Sequence, residues 1–309
     1  MTSYSLVTVT FNPAIDKSTV VPSLIPEKKL VCSPPLLEPG GGGINVARAI
    51  KKLGGEALAV YPAGGYNGQL LERLLEGEGV ASLPIPIKND SRENLVVLDK
   101  GANLQYRFGM PGPELIEAEW AACLQAIEQV SSPRYIIASG SLSSGIPIDI
   151  FAQLAAIAKK KKALLVVDTS GGPLKAAIEK GVYMIKPNLG ELAYLAGREE
   201  LDFESVAGVA RQLIDNGGCE IVVVSMGAGG AMLVSKDISR YVIAPPVRKK
   251  STIGAGDSMV AGIILSQFRG EGLIESVKYG VACGTAATMN PGTALCRPED
   301  ADKIYQQIT

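Results

Sequence analysis

Short apolar runs alternate with helical patterns along most of the chain, and this alternation constrains the fold more than any other feature. The runs are bounded by turn or polar residues, as is typical of strands buried on both faces of a parallel sheet. They lie at residues 5–10, 57–61, 135–138, 163–167, 182–185 and 220–224. Segments with helical spacing lie at residues 45–53, 69–75, 113–130, 148–160, 173–179, 203–216, 256–268 and 274–289. We therefore predict an α/β fold with a central, mostly parallel sheet flanked by helices.

Two segments interrupt this alternation. Residues 17–37 are rich in proline and lack a helical period, and residues 93–110 predict a β-hairpin with strands at 94–98 and 104–108. Neither segment has a helix to cover it. We predict that they form a small β-sheet lid on a single domain of residues 1–309, and that the lid joins two copies in a homodimer.

The balance of charges and the lack of histidine exclude several classes of function. Lys plus Arg total 30 and Asp plus Glu total 31, so the net charge of −1 offers no general attraction to nucleic acid or to an anionic membrane. The sequence contains no histidine. A Ser-His-Asp or Cys-His nucleophile and a His-ligated zinc or iron centre are therefore excluded. Proton transfer must fall to Asp, Glu, Lys, Tyr or Cys.

The cysteines and the hydropathy pattern predict a cytoplasmic protein. The 5 cysteines are widely spaced and form no Cys-x-x-Cys pair, which is typical of free thiols in a reducing compartment. The first ten residues lack the basic and apolar regions of a signal peptide. No run approaches the length of apolar sequence that a membrane-spanning helix needs.

The strongest chemical signal is a Gly-Ala-Gly turn at residues 254–256, which opens a predicted helix and is followed by Asp257. Backbone N–H groups at such a helix end form an anion site, and glycines let a phosphate approach the backbone. A carboxylate held there can accept a proton from an attacking hydroxyl. An ordinary helix start is the plainer alternative. The dinucleotide fingerprint is absent because Met259 occupies its third glycine position, and no Gly-Lys-Ser/Thr of a Walker P-loop occurs.

Two further motifs carry residues suited to a sugar and to magnesium. Four glycines at residues 40–43 precede a helix in which Asn45 could bond a sugar hydroxyl. Asn188 and Glu191 follow the predicted strand at 182–185, at the strand end where ligands bind in parallel α/β sheets. Their oxygens suit Mg²⁺ directly or through water. A flexible glycine loop and a helix cap, respectively, are the alternatives.

Scattered polar residues extend the candidate site. Asp16 follows the first predicted strand and can hold a sugar hydroxyl. Arg92 stands where the hairpin begins and Lys29 lies in the proline-rich segment, and cations there can bind a fixed phosphate. A turn of small residues at 225–230 is compatible with a nearby nucleotide. Surface charge and a plain glycine turn are the alternatives.

In this order, the motifs resemble those of the PfkB group of ribokinase-like sugar kinases, over essentially the whole chain. The resemblance rests on the glycine-rich block at 40–49, the Lys-Pro-Asn-x-x-Glu at 186–191 and the Gly-Ala-Gly-Asp at 254–257. Within the group it is greatest to the minor bacterial 6-phosphofructokinases. It implies a kinase that uses ATP, Mg²⁺ and K⁺ and phosphorylates the 1-hydroxyl of fructose 6-phosphate. 1-Phosphofructokinase and tagatose-6-phosphate kinase have similar motifs and remain alternatives, as does a sugar-phosphate-binding protein without catalysis.

The resemblance also implies a role for each matching residue. Asp257 would be the catalytic base, and the N–H groups that hold the transferring phosphoryl group would be those of Gly254, Ala255 and Gly256. The sugar phosphate would be bound by Asp16, Gly41, Gly42, Asn45, Arg92, Ser141 and the partner's Lys29. The nucleotide site would include Lys186, Asn188, Ser225, Gly227, Thr252, Gly254 and Gly256. Glu191 would organise Mg²⁺, and the monovalent-cation site would comprise Ser251, Ile253, Asn290 and Gly292.

Three positions depart from the pattern of that group. Ala294 and Val31 stand where its members usually carry arginine, and Lys28 is an added cation in the lid segment. These departures bear on the monovalent-cation site and on affinity for the sugar phosphate. The predicted base and the residues of the anion site match in full.

Overall fold

The chain alternates between strands and helices, as predicted. The computed structural model describes residues 3–308, so Met1, Thr2 and Thr309 of the expected domain lie outside the described residues. The strands within residues 3–308 are β1 Leu6–Val9, β2 Ala14–Val21, β3 Leu36–Gly40, β4 Leu58–Ala63, β5 Ser82–Pro86, β6 Arg92–Asp99, β7 Leu104–Phe108, β8 Tyr135–Ser139, β9 Leu164–Asp168, β10 Val182–Ile185, β11 Cys219–Ser225, β12 Gly230–Ser235 and β13 Ser239–Ile243. The α-helices there are α1 Gly42–Lys52, α2 Gly65–Gly77, α3 Glu117–Gln129, α4 Ile150–Lys161, α5 Gly171–Ile178, α6 Leu189–Leu195, α7 Phe203–Asp215, α8 Ala255–Phe268, α9 Leu273–Thr288 and α10 Pro298–Tyr305.

In the described part of the chain, nine strands form the central sheet in the order β13-β12-β11-β10-β9-β8-β1-β4-β5. The strands from β11 to β5 pair in parallel, and β12 and β13 add an antiparallel edge. Strands such as β1 and β8 are buried along their whole length, which explains their continuous apolar sequence. The predicted α/β class with a mostly parallel sheet is confirmed.

Helices cover both faces of this sheet. Buried side chains of α1, α2, α8, α9 and α10 pack in one apolar cluster against one face. Those of α3, α4, α5, α6 and α7 pack in a second cluster against the other. Helix α8 is buried on all sides from Ser258 to Gln267, so the chain segment that follows the Gly-Ala-Gly turn is held inside the protein. No helix in residues 3–308 is long and apolar enough to cross a membrane.

A second sheet has the strand order β3-β2-β6-β7. Its central strands β2 and β6 are parallel, and β3 and β7 flank them antiparallel. The β6–β7 pair confirms the predicted hairpin. Residues 17–37, expected to be strand-like throughout, comprise the end of β2, an irregular connection at residues 22–35 and the beginning of β3. We call this sheet, with that connection, the lid.

The sequence analysis missed several elements and misplaced the starts of α1, α2 and α3 by three or four residues. Helix α3 begins at Glu117 rather than at residue 113, because the Glu119 side chain accepts a hydrogen bond from the Ile116 N–H (2.9 Å) and caps the helix there. Strand β5 contains two prolines and is tolerated because it lies at the sheet edge. Strands β12 and β13 and the short helix α10 were not predicted either.

Candidate active site

The candidate site lies where the sheet connections reverse direction. Strand β1 pairs with β8 on one side and with β4 on the other. The crevice at the carboxyl ends of strands at such a point is where open α/β sheets bind ligands. Ser139 and Asp168 are the last residues of β8 and β9, and the first turns of α1 and α8 meet at Ser139.

Asp257 in the first turn of α8 is the central carboxylate. Its Oδ2 accepts a hydrogen bond from Asn45 Nδ2 at 2.9 Å, and its Oδ1 accepts one from Ser139 Oγ at 3.3 Å. Burial raises the pKa of Asp257 to about 6, and the charge of Asp168 adds to this rise, against the lowering effect of Asn45, Lys186 and Ser139. A fixed carboxylate with a pKa near neutrality is suited to general-base catalysis.

The N-terminus of α8 combines close backbone approach with a buried cation. Gly254 has a φ of +72°, a conformation that favours glycine. A side chain at Gly256 would come within 3.3 Å of Lys186 Nζ, so the ammonium group lies beside this helix end. Lys186 Nζ is 3.2 Å from Asp168 Oδ1. Burial alone would lower the pKa of Lys186, but the Asp168 carboxylate raises it above its ordinary value.

The four-glycine segment is packed rather than flexible. Gly41 caps α1 with a φ of +112°. A Cβ on Gly42 would lie 2.3 Å from Ser139 Oγ and 2.7 Å from the Gly140 nitrogen, which no side chain could tolerate. The segment therefore needs glycine in order to lie against the end of β8. This contact places Asn45, one turn into α1, beside Asp257.

A cavity of about 230 Å³ lies between the lid and the segment before α8. The polar side chains that line it are Asp16, Arg92, Asn94, Arg107 and Thr293. Asp16 is buried and accepts a hydrogen bond from Asn94 Nδ2 at 2.9 Å. Burial raises the pKa of Asp16, although Asn94 and Arg92 lower it.

Arg92 borders this cavity with part of its hydrogen-bonding capacity unused. Its Nη1 donates to the Met110 carbonyl oxygen at 2.9 Å, and its Nη2 donates to the Asn12 carbonyl oxygen at 3.0 Å. Its Nε is buried and has no partner within residues 3–308. Asn12 Nδ2 in turn donates to Ser141 Oγ at 3.0 Å, so Asn12 joins Arg92 to Ser141. A cation with free donors beside a hydroxyl suits a phosphate group.

The carboxyl ends of β10 and β11 bring the expected nucleotide residues together. Asn188 caps α6 by accepting the Glu191 N–H at 2.9 Å, and Glu191 Oε2 accepts the Asn188 N–H at 2.8 Å. The helix cap, which the sequence analysis kept as the alternative to magnesium binding, is therefore present. Asn188 also pairs with Ser225, and Gly227 opens the following turn with a φ of +58°.

The residues expected to bind a monovalent cation form one connected loop pair. Ser251 Oγ donates to the Gly292 carbonyl oxygen at 2.8 Å and accepts the Ile253 N–H at 3.2 Å. Asn290 is buried and donates to the Leu295 carbonyl oxygen at 3.1 Å. Thr252, between Ser251 and Ile253, accepts a hydrogen bond from Arg107 Nη2 of the lid at 2.9 Å.

The carboxylates of the site suit a Mg²⁺ ion that arrives with a nucleotide. Within residues 3–308 no three acidic or cysteine side chains lie together as a complete metal site. Mg²⁺ commonly keeps several waters and is held by one or two carboxylates together with substrate phosphates. Glu191 and Asp168 fit that pattern. Burial and then the charge of Asp168 raise the pKa of Glu191, so the two carboxylates repel each other, and a bound cation would relieve that repulsion.

Lys29 is the one expected site residue that stands apart. Its side chain is exposed in the lid, and it shares no hydrogen bond or ion pair with another candidate within residues 3–308. The sequence also left three residues of the site without a role, namely Ser139, Asp168 and Arg107. Ser139 and Asp168 directly follow the predicted strands at 135–138 and 163–167, so their polarity at the carboxyl end of a parallel sheet was the available signal. Nothing local distinguished Arg107.

The chain resembles known proteins over nearly its full length. The family described as pfkB family carbohydrate kinase matches residues 9–300. The chain is 41% identical to the ATP-dependent 6-phosphofructokinase isozyme 2 of Escherichia coli strain K12, with 98% of each covered. A crystal structure of phosphofructokinase-2 from Escherichia coli in complex with potassium has a TM-score of 0.94, 41% identity and 99% coverage of both chains. A ribokinase from Thermotoga maritima shares the fold with a TM-score of 0.76 at 18% identity, covering 98% of this chain and all of that one.

Proposed function

Because the chain belongs to the pfkB family of carbohydrate kinases, we propose that it is an ATP-dependent 6-phosphofructokinase. It transfers the γ-phosphoryl group of ATP to the 1-hydroxyl of fructose 6-phosphate and yields fructose 1,6-bisphosphate and ADP. The observation that carries this proposal is the carboxylate of Asp257, held at the start of α8 by Asn45 and Ser139. The 41% identity to a relative with that name supports the choice of substrate.

In the proposed complex, the cavity under the lid holds the sugar phosphate. Arg92 and Ser141 bind its 6-phosphate through the donors that Asn12 holds together. Asp16 and Asn45 hold sugar hydroxyls, and the backbone of Gly41 and Gly42 lies against the ring. Arg107 borders the same cavity and adds a second cation for the phosphate. These contacts fix the 1-hydroxyl near Asp257, and such positioning supplies much of the rate in phosphoryl transfer.

The chemical step then uses one carboxylate and the helix end. The oxygen of the 1-hydroxyl forms a bond to the γ-phosphorus while the bond from that phosphorus to the ADP oxygen breaks. The proton of the hydroxyl passes to Asp257. The N–H groups of Gly254, Ala255 and Gly256 hold the phosphoryl oxygens, and Lys186 offsets their negative charge. One well-placed donor of this kind is typically worth about 3–4 kcal/mol of barrier.

The nucleotide and the cations occupy the neighbouring loops. Besides Lys186 and the α8 turn, the proposed ATP site comprises Asn188, Ser225, Gly227 and Thr252. Glu191 and Asp168 would hold Mg²⁺, which would offset the negative charge of the phosphates when bound. Ser251, Ile253, Asn290 and Gly292 form the proposed K⁺ site. The potassium named in the solved relative supports this, although Ala294 replaces the arginine usual in that group.

The domain organisation and the compartment are part of the same proposal. Residues 1–309 act as one domain, in which the lid covers the sugar site. The protein works in the cytoplasm, where its thiols stay reduced. Its cysteines are free in the structure, and the four buried ones, Cys123, Cys219, Cys283 and Cys296, lie in the apolar core.

We propose that two copies join through the lid and that the partner's Lys29 reaches the sugar phosphate. The lid exposes Leu104, Tyr106 and Phe108 along one face of β7, which are 37–55% accessible and form an uncovered apolar surface. Lys29 is exposed on the same lid, free to reach a second chain.

This arrangement predicts that two defective variants rescue each other. Lys29→Met and Asp257→Asn each lack one group, and a mixed dimer has one site with both groups intact. Random reassembly of equal amounts should give about one quarter of the wild-type activity, because about half the dimers are mixed and each has one working site of two. The measurement is the turnover of the pair mixed under conditions that exchange subunits. Turnover no greater than the sum of the separate variants would rule out action across the dimer.

The titration of Asp257 is expected to be centred near pH 6. Burial raises the pKa of Asp257 to about 6 from its ordinary 3.8. The base acts only when ionised, so kcat/KM should fall as the pH drops through about 6. The substrate phosphate also titrates at about pH 6, so the pH dependence of kcat/KM cannot distinguish it from Asp257. The decisive measurement is therefore the ¹³Cγ titration of Asp257 in the free protein, with its signal assigned by its loss in Asp257→Asn. A midpoint near the ordinary value would contradict the prediction.

The proposed function is tested by ADP release with Mg-ATP. We compare kcat/KM for fructose 6-phosphate, fructose 1-phosphate and tagatose 6-phosphate, which all carry a phosphate and a primary hydroxyl at opposite ends of a ketose. We expect a clear lead for fructose 6-phosphate. A lead for either other sugar would overturn the choice of substrate but retain the base and the anion site. No turnover with any of them would favour a sugar-phosphate-binding protein.

A further inference from the structure

Arg48 of α1 is the largest side chain enclosed in the core, and it lies between the lid and the candidate base. It is 1% accessible, which is rare for arginine and requires compensating partners. Its Nε and Nη2 donate to the two Glu78 carboxylate oxygens at 2.8 and 2.6 Å, and Nη2 also lies 3.3 Å from Glu38 Oε1. Its Nη1 donates to the Pro39 carbonyl oxygen at 2.7 Å and faces Asn45 Oδ1 at 3.4 Å.

The last contact decides which way the Asn45 amide points. A guanidinium group offers only donors, so the side of the amide that faces Arg48 must be its oxygen. The NH₂ group is then directed at Asp257, to which Asn45 Nδ2 donates at 2.9 Å. An ionised carboxylate offers only acceptors, so this is the one orientation that satisfies both neighbours. The reversed amide would place an oxygen against the carboxylate.

The other contacts of Arg48 hold the lid. Glu38 and Pro39 belong to β3, the edge strand of the lid that leads into the glycine segment. Glu38 Oε2 also accepts the Thr293 hydroxyl, from the loop that follows Asn290. The buried guanidinium group of Arg48 therefore contacts both β3 of the lid and Asn45, which in turn contacts Asp257.

We propose that Arg48 is a positioning residue, which anchors β3 and fixes the Asn45 amide with its NH₂ group towards Asp257. The proposal rests on the proposed function, in which Asp257 is the catalytic base. Arg48 touches neither Asp257 nor the cavity residues Arg92 and Arg107. Its action on catalysis passes through Asn45.

The charges around both groups indicate what its removal does. Asp257 faces Asp168 from β9 and Lys186 from the loop after β10, and it accepts hydrogen bonds from Asn45 and Ser139. Arg48 faces Glu38 from β3 and Glu78 from the end of α2, and its charge also reaches Asp16 of β2. None of these groups can replace the donor of Asn45. Without Arg48 the amide is free to reverse, the protonated form of Asp257 is favoured and its pKa rises.

The test compares Arg48→Met with the wild type. We expect the ¹³Cγ titration of Asp257 in the free protein to move up by about one pH unit, as loss of one hydrogen bond to a charged group requires. The ratio of kcat/KM between variant and wild type should be about fivefold lower at pH 6 than at pH 8.5, because the wild-type carboxylate is itself only half ionised at pH 6. A structural defect alone would lower kcat/KM equally at both pH values. An unmoved titration would refute the proposal whether or not the protein phosphorylates fructose 6-phosphate.

A double-mutant cycle separates orientation of the amide from simple loss of charge. In an Asn45→Ala background the amide is absent, so Arg48→Met should no longer shift the titration of Asp257. A shift of equal size in that background would show that Arg48 acts through its charge and would overturn the proposal. The matched control is Glu78→Gln, which disturbs the ion pair of Arg48 but keeps its contact with Asn45, and should leave the titration unchanged.

A folding defect does not block the test. Arg48→Met leaves the Glu38 carboxylate buried without its partner, which is destabilising. Should that variant fail to fold, Arg48→Met/Glu38→Gln removes the stranded charge, and the same titration shift is expected from it. If the wild type lacks kinase activity but the titration moves as expected, the proposed function fails and the role of Arg48 stands.

Discussion

Replacement of Asp257 by asparagine is expected to lower kcat by at least about 100-fold, the range of a general base in the transition state. The carboxamide has nearly the same shape but cannot take the proton of the sugar hydroxyl. Asn45 can still donate to its oxygen, so the first turn of α8 keeps its geometry. The measurement is kcat with saturating Mg-ATP and fructose 6-phosphate, together with the melting temperature.

Two controls show whether the loss is chemical. Ser139→Ala removes only the longer hydrogen bond to Asp257, 3.3 Å, and should cost less than about tenfold. Because burial raises the pKa of Asp257, its ionised form costs stability above the unfolded-state pKa, so Asp257→Asn should melt no lower than the wild type at pH 8. Near-normal turnover of Asp257→Asn would remove Asp257 from the role of base.

Replacement of Arg92 by alanine is expected to raise the KM for fructose 6-phosphate by about 100-fold and the KM for ATP by less than about threefold. Two charge-assisted hydrogen bonds to a phosphate are worth about 3 kcal/mol or more together, and each 1.4 kcal/mol is tenfold. Arg92 borders the sugar cavity and has a buried Nε without a partner in the described residues. The measurement is the pair of KM values at saturating concentration of the other substrate.

Two control variants separate the charge of Arg92 from its geometry and from its location in the site. Arg92→Lys keeps the charge but not the planar fork, so its KM should lie between those of the wild type and Arg92→Ala. Arg73→Ala removes an exposed arginine over Tyr66, outside the candidate site, and should change neither KM. An equal rise of both KM values in Arg92→Ala would contradict a phosphate contact.

The sequence predicted what depends on short-range patterns. The strand at 182–185 was placed at its observed bounds because an apolar run between polar residues is a local signal. The Gly-Ala-Gly turn with Asp257 can also be recognised from a few neighbouring residues, because the φ of Gly254 and a close approach to the backbone both favour glycine. The helix cap by Asn188 and Glu191 was foreseen as an alternative for the same reason.

Contacts between distant residues could not be predicted in this way. The hydrogen bond from Asn45 to Asp257 joins residues 212 apart in sequence, and only the packing of α1 beside α8 creates it. The pairing of β2 with β6 joins two segments on either side of β4 and β5. Arg48 stands one turn after Asn45 in a glycine-rich block, and nothing in its local pattern indicates burial beside the lid strand.

The parallel pairing of β2 and β6 has a consequence for how the protein reaches its native state. The two strands are joined by a stretch that contains β3, α1, β4, α2 and β5, so their pairing must close a loop that itself folds. Long-range parallel pairs form slowly for this reason. We therefore expect the sugar cavity to be completed late in refolding, after the strands and helices between β2 and β6 have formed. Recovery of enzymatic activity should accordingly lag behind recovery of helical signal when the denatured chain is returned to native conditions.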